Sequence, residues 1–558
     1  MKRAPAAAHR SLLHSAGVVS AGILLSRVAG LIREVAMARL FGAGAAYDAF
    51  LTAFRIPNLT RNLFAEGALS SALVPTFTDA LTTGTVPEAD ELAQVVATAL
   101  TLAAGSVCVL GIVFSPQLVH LLAPGFARVP GKFELTVLLT RIMFPFLLLV
   151  ALAAEAMAIA NAHGRFGVPA LASTFFNLGS VASGLALGLT VGRRWPQGMI
   201  VSMAGGVVIG GALQLAWQLP SLSHAGFSLR PRVDFRHPGL RRIARLMLPA
   251  LIGNAAVQIN VIVNANLASG LTDPAGRAMD GPVSWLGYAF RFLQFPLGLF
   301  GAALASATLP AISRSAALRR FDEFRATLSA SLRMALLLTI PSSVGLVVLG
   351  GSMIGAVYQG GRFGAYDTHQ TALALACYSA GLPGYAAIKL LAPAFYALDD
   401  AWTPMAVSLA SVGLNVVLSA CLAYRAGMGH RGLALSTSLV ALGGAAALAA
   451  ALRQRVHGIE GRSLAASAAK ITLAAAAMGV ACRASSVIIH SGLGGHRLLN
   501  LADVAISIPL GVAVFYSLAR ILRIPELRTL EAACYTAISH ARRPEAGDPP
   551  ARDRQLPG

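Results

Sequence analysis

The chain has 558 residues, 56% of them hydrophobic and only 12% charged. A soluble domain carries about 25% charged residues, so this composition excludes an ordinary water-soluble enzyme and makes lipid the solvent. The formal net charge is +20, but there is no nucleic-acid motif. The excess therefore reads as membrane topology, with basic loops held inside, and not as a nucleic-acid partner.

A spanning helix needs about 20 mostly apolar residues. Fourteen stretches meet that need: 12–40, 47–80, 90–115, 134–161, 166–191, 197–219, 246–271, 284–313, 327–357, 371–397, 403–424, 432–452, 465–490 and 500–522. The opening MKRAPAAAHR leads into the first of these without a cleavage context, so it reads as a retained helix and not as a removed signal. The first two spans are long and polar, and Gly30 and Pro57 are expected to break them.

These two spans hold most of the buried charge. Arg27, Arg33, Arg39, Arg55 and Arg61 stand there with Glu34, Asp48, Glu66 and Asp79. An arginine at mid-bilayer costs roughly 2.5–3.5 kcal/mol on insertion scales, so such residues face a wet interior or a partner and not lipid. Arg27 and Arg33, six residues apart, are about 120° apart on an ideal helix; Arg27 and Glu34 share a face. Asp48 and Arg55 are likewise nearly aligned. Two readings stay open. The acids neutralise the arginines and hold helices together, or the arginines line a chamber for an anion. A guanidinium fork suits phosphate oxygens better than an ammonium does, and the two spans contain no lysine. Arg39 fits an interfacial, snorkelling position.

The fourth span carries Arg141 and Glu155, the tenth Lys389 and the thirteenth Lys470, as internal pairs or interface anchors. Five cysteines, Cys108, Cys377, Cys421, Cys482 and Cys534, are scattered singly, so neither a disulfide framework nor a metal site is implied. In the eighth span Arg291 has no acid within a turn. Its partner is either a ligand anion or an acid on another helix such as Glu155. Asp399 and Asp400 mark the inner end of the tenth span.

The loops organise the chain. The richest in arginine is 228–245, SLRPRVDFRHPGLRRIAR, followed by 314–325, RSAALRRFDEFR. With both termini inside, the inside loops carry the larger share of Lys and Arg; Arg193 and Arg194 are exceptions. The expected fold is an all-α membrane protein of about 14 transmembrane helices. Two six-helix lobes, 1–222 and 246–455, are joined by a basic linker at 223–245 and form a parallel pseudo-repeat around a central cationic cavity. FRIPNL (54–59) and FRFLQFPLG (290–298) occupy matching places in the two lobes. Two extra helices fill 456–525, and the Pro-rich tail 526–558 reads as partly disordered.

Residues 26–77, SRVAGLIREVAMARLFGAGAAYDAFLTAFRIPNLTRNLFAEGALSSALVPTF, resemble the opening of the MurJ (MviN) family of lipid II flippases. The resemblance continues through FPLGLFGAALASATLPAISR (295–314), VYQGGRFGAYDT (357–368) and AFYALDDAWTP (394–404). It implies a MATE-like transporter fold of the MOP superfamily that flips lipid II across the bacterial cytoplasmic membrane by alternating access. It also implies a substrate-binding set of Arg27, Arg33, Arg61 and Arg291. Glu34, Asp48, Arg55, Asn58 and Glu66 would support the cavity, and the last two helices would hold the undecaprenyl tail. The chain departs from the family pattern at Phe290, where many relatives carry an acid. The seventh and eleventh spans hold only asparagines, Asn254, Asn260, Asn264, Asn266 and Asn415. An acid-based sodium site is therefore not expected there, and coupling to membrane potential is the simpler expectation. No cofactor, metal or nucleic acid is implied, and the protein is expected to act as a monomer among membrane lipids. The alternatives are a flippase or antiporter of the same fold for a polysaccharide-lipid or drug, or a non-transporting membrane protein. A cationic-drug antiporter would want an acidic cavity, and an enzyme would show paired acids, metal ligands or a nucleophile.

Overall fold

The computed structural model describes the backbone of residues 4–63, 69–228, 230–273, 275–491 and 497–532, and the side chains within these except at 4–20, 59–63, 69–71, 248–257 and 302. Twenty α-helices follow one another: α1 Ala4–Phe41, α2 Ala45–Leu63, α3 Leu69–Thr83, α4 Val86–Val113, α5 Ser115–Leu122, α6 Lys132–Met143, α7 Phe146–Ala162, α8 Gly167–Thr190, α9 Gly198–Ala216 and α10 Leu219–Ser223 in the first half. After the linker come α11 Pro238–Ser269, α12 Pro282–Pro296, α13 Ala303–Ala317, α14 Phe321–Tyr358, α15 Ala365–Ser379, α16 Leu382–Tyr396, α17 Trp402–Ala420, α18 His430–Arg455, α19 Gly461–Ser491 and α20 Arg497–Ile521. No strand occurs among the described residues, only the isolated bridges Thr272–Ala278 and Gly360–Phe363.

Within the described residues, each predicted span is mostly helix. Among the described residues, ten helices are long and apolar enough to cross a membrane, or eleven if α15 and α16, bent by 43°, form one span. The other three predicted spans, α1, α2–α3 and α11, run over residues whose side chains lie outside the described ones. Helix suits apolar runs of this length, because it pairs every backbone N–H and C=O within the segment where lipid pairs none. Two expected breaks are absent. α1 runs through Gly30, and α2 continues past Pro57 to Leu63. A proline removes one intrahelical donor, which a polar, protein-lined setting tolerates. In the eighth span the helix loosens instead after Pro296, into a π-helical turn at Leu297–Ala302.

Within the first half, α8 packs on α9 and α1, α2 on α6, and α3 on α7. Small residues permit the α8–α9 approach: a Cβ on Gly206 would lie 2.4 Å from Ser180 O. Within the second half, α14 packs on α15 and α16, and α18 on α16 and α17; α19 and α20 pack on α14 and on each other. Helix α11 touches both halves, meeting α3 and α4 as well as α17 and α18. It starts at Pro238, inside the segment read from sequence as linker.

The halves meet at the end that carries the α1–α2 turn. Gly42 has φ +63°, and a Cβ on it would lie 2.5 Å from Arg362 O, so this turn needs glycine twice over. Arg362 N donates to Arg39 O at 2.9 Å, closing the same seam. Asn266 Nδ2 donates to Leu121 O at 2.7 Å nearby.

Candidate functional site: a cationic gap between the halves

The first helix presents two faces to two surroundings. Arg33 turns into the first half, its guanidinium 5.4 Å from the Phe176 ring centre and 5.9 Å from that of Phe54. Stacking on two aromatic faces suits a delocalised cation. Arg27 and Glu34, on the shared face, turn toward the second half. A Cβ on Gly298, in the π turn after α12, would lie 3.6 Å from Arg27 Nη2. Arg27 is exposed and has no ion pair among the described residues. π turns recur at functional sites because they re-aim the backbone.

Glu34 is nearly buried and joins the halves. Its Oε1 lies 2.7 Å from Arg291 Nε on α12, and its Oε2 accepts from Tyr358 Oη at 3.0 Å. Arg291 is therefore paired with Glu34 and not with Glu155. The half-exposed Arg291 side chain keeps part of its guanidinium open. Glu155 is fully buried on α7, and neither carboxyl oxygen has a hydrogen-bond partner. Arg141 donates instead to Ser115 Oγ at 2.9 Å, so Arg141 and Glu155 are not a pair.

Asp48 lies at the seam, where it makes no ion pair with Arg55 and caps α12. It accepts from Gly281 N at 2.8 Å, Ser284 N at 2.9 Å and Ser284 Oγ at 2.6 Å. A carboxylate at a helix N-terminus satisfies orphan N–H donors and meets the positive end of the helix dipole. Its counter-ion is Lys132 at 3.0 Å, which also reaches Asp280 at 2.7 Å. Asp79 pairs with Arg242 at the foot of α11. Each described acid of the first two spans is thus held by a cation from outside them. Arg55 and Asn58 are half-buried beyond this seam, and Arg55 has no ion pair among the described residues.

The protein-family model described as "Lipid II flippase MurJ" matches residues 37–502. The chain belongs to the MurJ lipid II flippase family. Among its MurJ relatives, one from Vibrio cholerae, named a probable lipid II flippase, is 37% identical over 439 residues, covering 77% of this chain and 81% of its own. One from Burkholderia cenocepacia, named a lipid II flippase, is 35% identical, covering 78% and 83%. One from Bdellovibrio bacteriovorus is 32% identical, covering 92% and 95%. A solved MurJ in an "inward closed conformation" superposes with TM-score 0.72 at 25% identity, covering 90% of this chain and 99% of that one. An inward-facing multidrug MATE transporter of the MOP superfamily matches at TM-score 0.62 and 13% identity, which shows the shared fold alone. The chain is a multi-pass membrane protein of a transporter family.

Of the set implied by likeness to MurJ, the structure brings Arg27, Glu34 and Arg291 to one gap, places Arg33 behind it, and puts Asp48 at its closed end. The Arg61 side chain and Glu66 lie outside the described residues. Two of the asparagines form a neutral knot: Asn415 Nδ2 donates to Asn264 Oδ1 at 2.9 Å, and Ser419 and Ser436 donate to Asn415 Oδ1 at 3.4 and 3.3 Å. Asn266 is used at the seam. Helix α19 borders a groove of about 710 Å3, lined by Val344 and Val348 of α14 and by Ala476, Val480, Arg483 and Val487 of α19.

Sequence reasoning missed Tyr358, Lys132 and Asp280. A lysine and an aspartate at span ends look like interface anchors. The available signal was Asp280-Gly281-Pro282 opening a helix, since an apolar helix start needs an anion or a cap from elsewhere.

Proposed function

We propose that the protein carries lipid II from the inner to the outer leaflet of the bacterial cytoplasmic membrane. The observation that carries this reading is the exposed Arg27 facing the α12 π turn, with Arg291 one helix face away and no described first-span acid left over to neutralise Arg27. Such a gap suits a diphosphate, and guanidinium groups bind its oxygens in a fork geometry. Glu34 is the resting occupant of Arg291, displaced when the headgroup enters. Sugars and peptide fill the remaining gap, and the isoprenoid chain lies along the α14–α19 groove, whose one cation, Arg483, sits among apolar side chains. The halves rock about the gap, opening one end and then the other. No bond is made or broken.

Both termini lie in the cytoplasm on this reading, and the seam at the α1–α2 turn is the outer gate. The protein works as a monomer and without a cofactor. The neutral asparagine knot favours drive by membrane potential over an acid-based sodium site. An anionic headgroup moving outward gains about 2.3 kcal/mol per charge per 100 mV, inside negative.

The test is complementation in cells depleted of their own flippase. Arg27→Ala, Arg61→Ala and Arg291→Ala are each expected to abolish growth while the protein still reaches the membrane. Normal growth with the well-expressed triple variant would refute the binding role.

A further inference from the structure

Three charged side chains meet at the closed end, and their ownership is unequal. Lys132, at the start of α6, and Asp48, on α2, belong to the first half; Asp280 belongs to the second, on the segment that leads into α12. Lys132 and Asp48 are almost completely buried, at 1% side-chain exposure each, whereas Asp280 is 44% exposed. The Lys132 ammonium also lies 4.2 Å from the Phe126 ring centre, so aromatic surface and two carboxylates surround it. Every other donor to Asp48, namely Gly281 N, Ser284 N and Ser284 Oγ, comes from the second half.

Parting the halves here breaks Lys132–Asp280 and strips Asp48 of all three donors from α12. It does not break Lys132–Asp48. A carboxylate drawn out of such a site with no counter-charge is costly, and a paired one much less so. We propose that Lys132 is the travelling counter-ion of this gate: it ties the halves through Asp280 when the end is shut, and it neutralises Asp48 when the end opens. The idea rests on the alternating-access reading, though not on the identity of the cargo.

Two neutralising substitutions should then act in opposite directions. Asp280→Asn removes only the tie between halves, leaves Asp48 with its cation, and favours opening. Lys132→Gln removes the tie as well, but leaves Asp48 dependent on donors that all sit across the seam, so the end stays shut. A simple salt-bridge latch predicts opening for both.

The experiment is pulsed electron–electron distance measurement on the full-length, cysteine-replaced protein in proteoliposomes, with nitroxides at Ala127→Cys and Gly364→Cys. Both positions are exposed, one in each half at this end. The expected result is a larger long-distance population in Asp280→Asn, a smaller one in Lys132→Gln, and return to the parent distribution in Lys132→Arg. An unchanged distribution in Asp280→Asn overturns the proposal, and so does widening in Lys132→Gln. Should Lys132→Gln fail to fold, Asp280→Asn alone still decides whether the tie exists. The distances are read without cargo; if they shift as stated while lipid II is not moved, the cargo assignment fails and the gate stands.

Discussion

Replacing Glu34 by glutamine tests whether the cationic gap is a binding site or a scaffold. The carboxylate holds Arg291 at 2.7 Å and accepts from Tyr358 at 3.0 Å. Glutamine keeps the shape and can still accept from Tyr358, so the change removes mainly the charge. A hydrogen bond to a charged group contributes about 1.5–3 kcal/mol when protected, and an exposed ion pair about 0.2–1 kcal/mol. Glu34 is nearly buried and Arg291 half-exposed, which places the pair between these limits, at about 1–2 kcal/mol. A diphosphate that binds Arg291 must first displace Glu34 and give up that amount. Without the charge, affinity should rise by a factor of about 5–30. Calorimetric titration of the purified protein with a short-chain, diphosphate-linked sugar reads this directly. Flipping in proteoliposomes should meanwhile slow, because the pair that re-forms between the halves after release is gone. Equal or weaker binding by Glu34→Gln would show that the pair is structural and that the headgroup does not contact Arg291.

Two further outcomes follow from separate parts of the molecule. A Cβ on Gly479 would lie 2.7 Å from Val344 Cγ1, so Gly479→Leu should fill the α14–α19 groove; transport of long-chain substrate should fall while binding of a water-soluble headgroup analogue is retained, and equal loss of both would place the tail elsewhere. In the loop before α17, the Thr403 backbone N–H, joined by its hydroxyl and by Arg455, holds the Asp400 carboxyl below the usual range. A group lowered in the folded state stabilises above its unfolded value, about 3.9, and that stability is lost as pH falls through the folded value; thermal unfolding followed from pH 6 downward should show a shallower acid decline in Asp400→Asn than in the parent.

The sequence by itself determined the helical class and the residues that cannot face lipid. Those properties follow from local arithmetic: twenty apolar residues cross a bilayer, and a guanidinium inside one needs water or a partner. The shared face of Arg27 and Glu34 was legible for the same reason, since helical spacing alone fixes it. Tertiary structure decided the partners. Glu34 could have paired with any of five arginines near it in sequence, yet it pairs with Arg291, 257 positions away, because the two helices are brought together by packing that no local pattern encodes. Asp48 looked like a cavity acid aligned with Arg55; it became a helix cap with a lysine counter-ion, because α12 begins beside it with unsatisfied N–H groups. Gly30 and Pro57 looked like breaks, but α1 and α2 pass through them, since glycine keeps its backbone N–H and packed neighbours can absorb the one bond that proline loses. Charge in a membrane announces itself in the sequence, whereas what neutralises it depends on which helix ends the fold sets side by side.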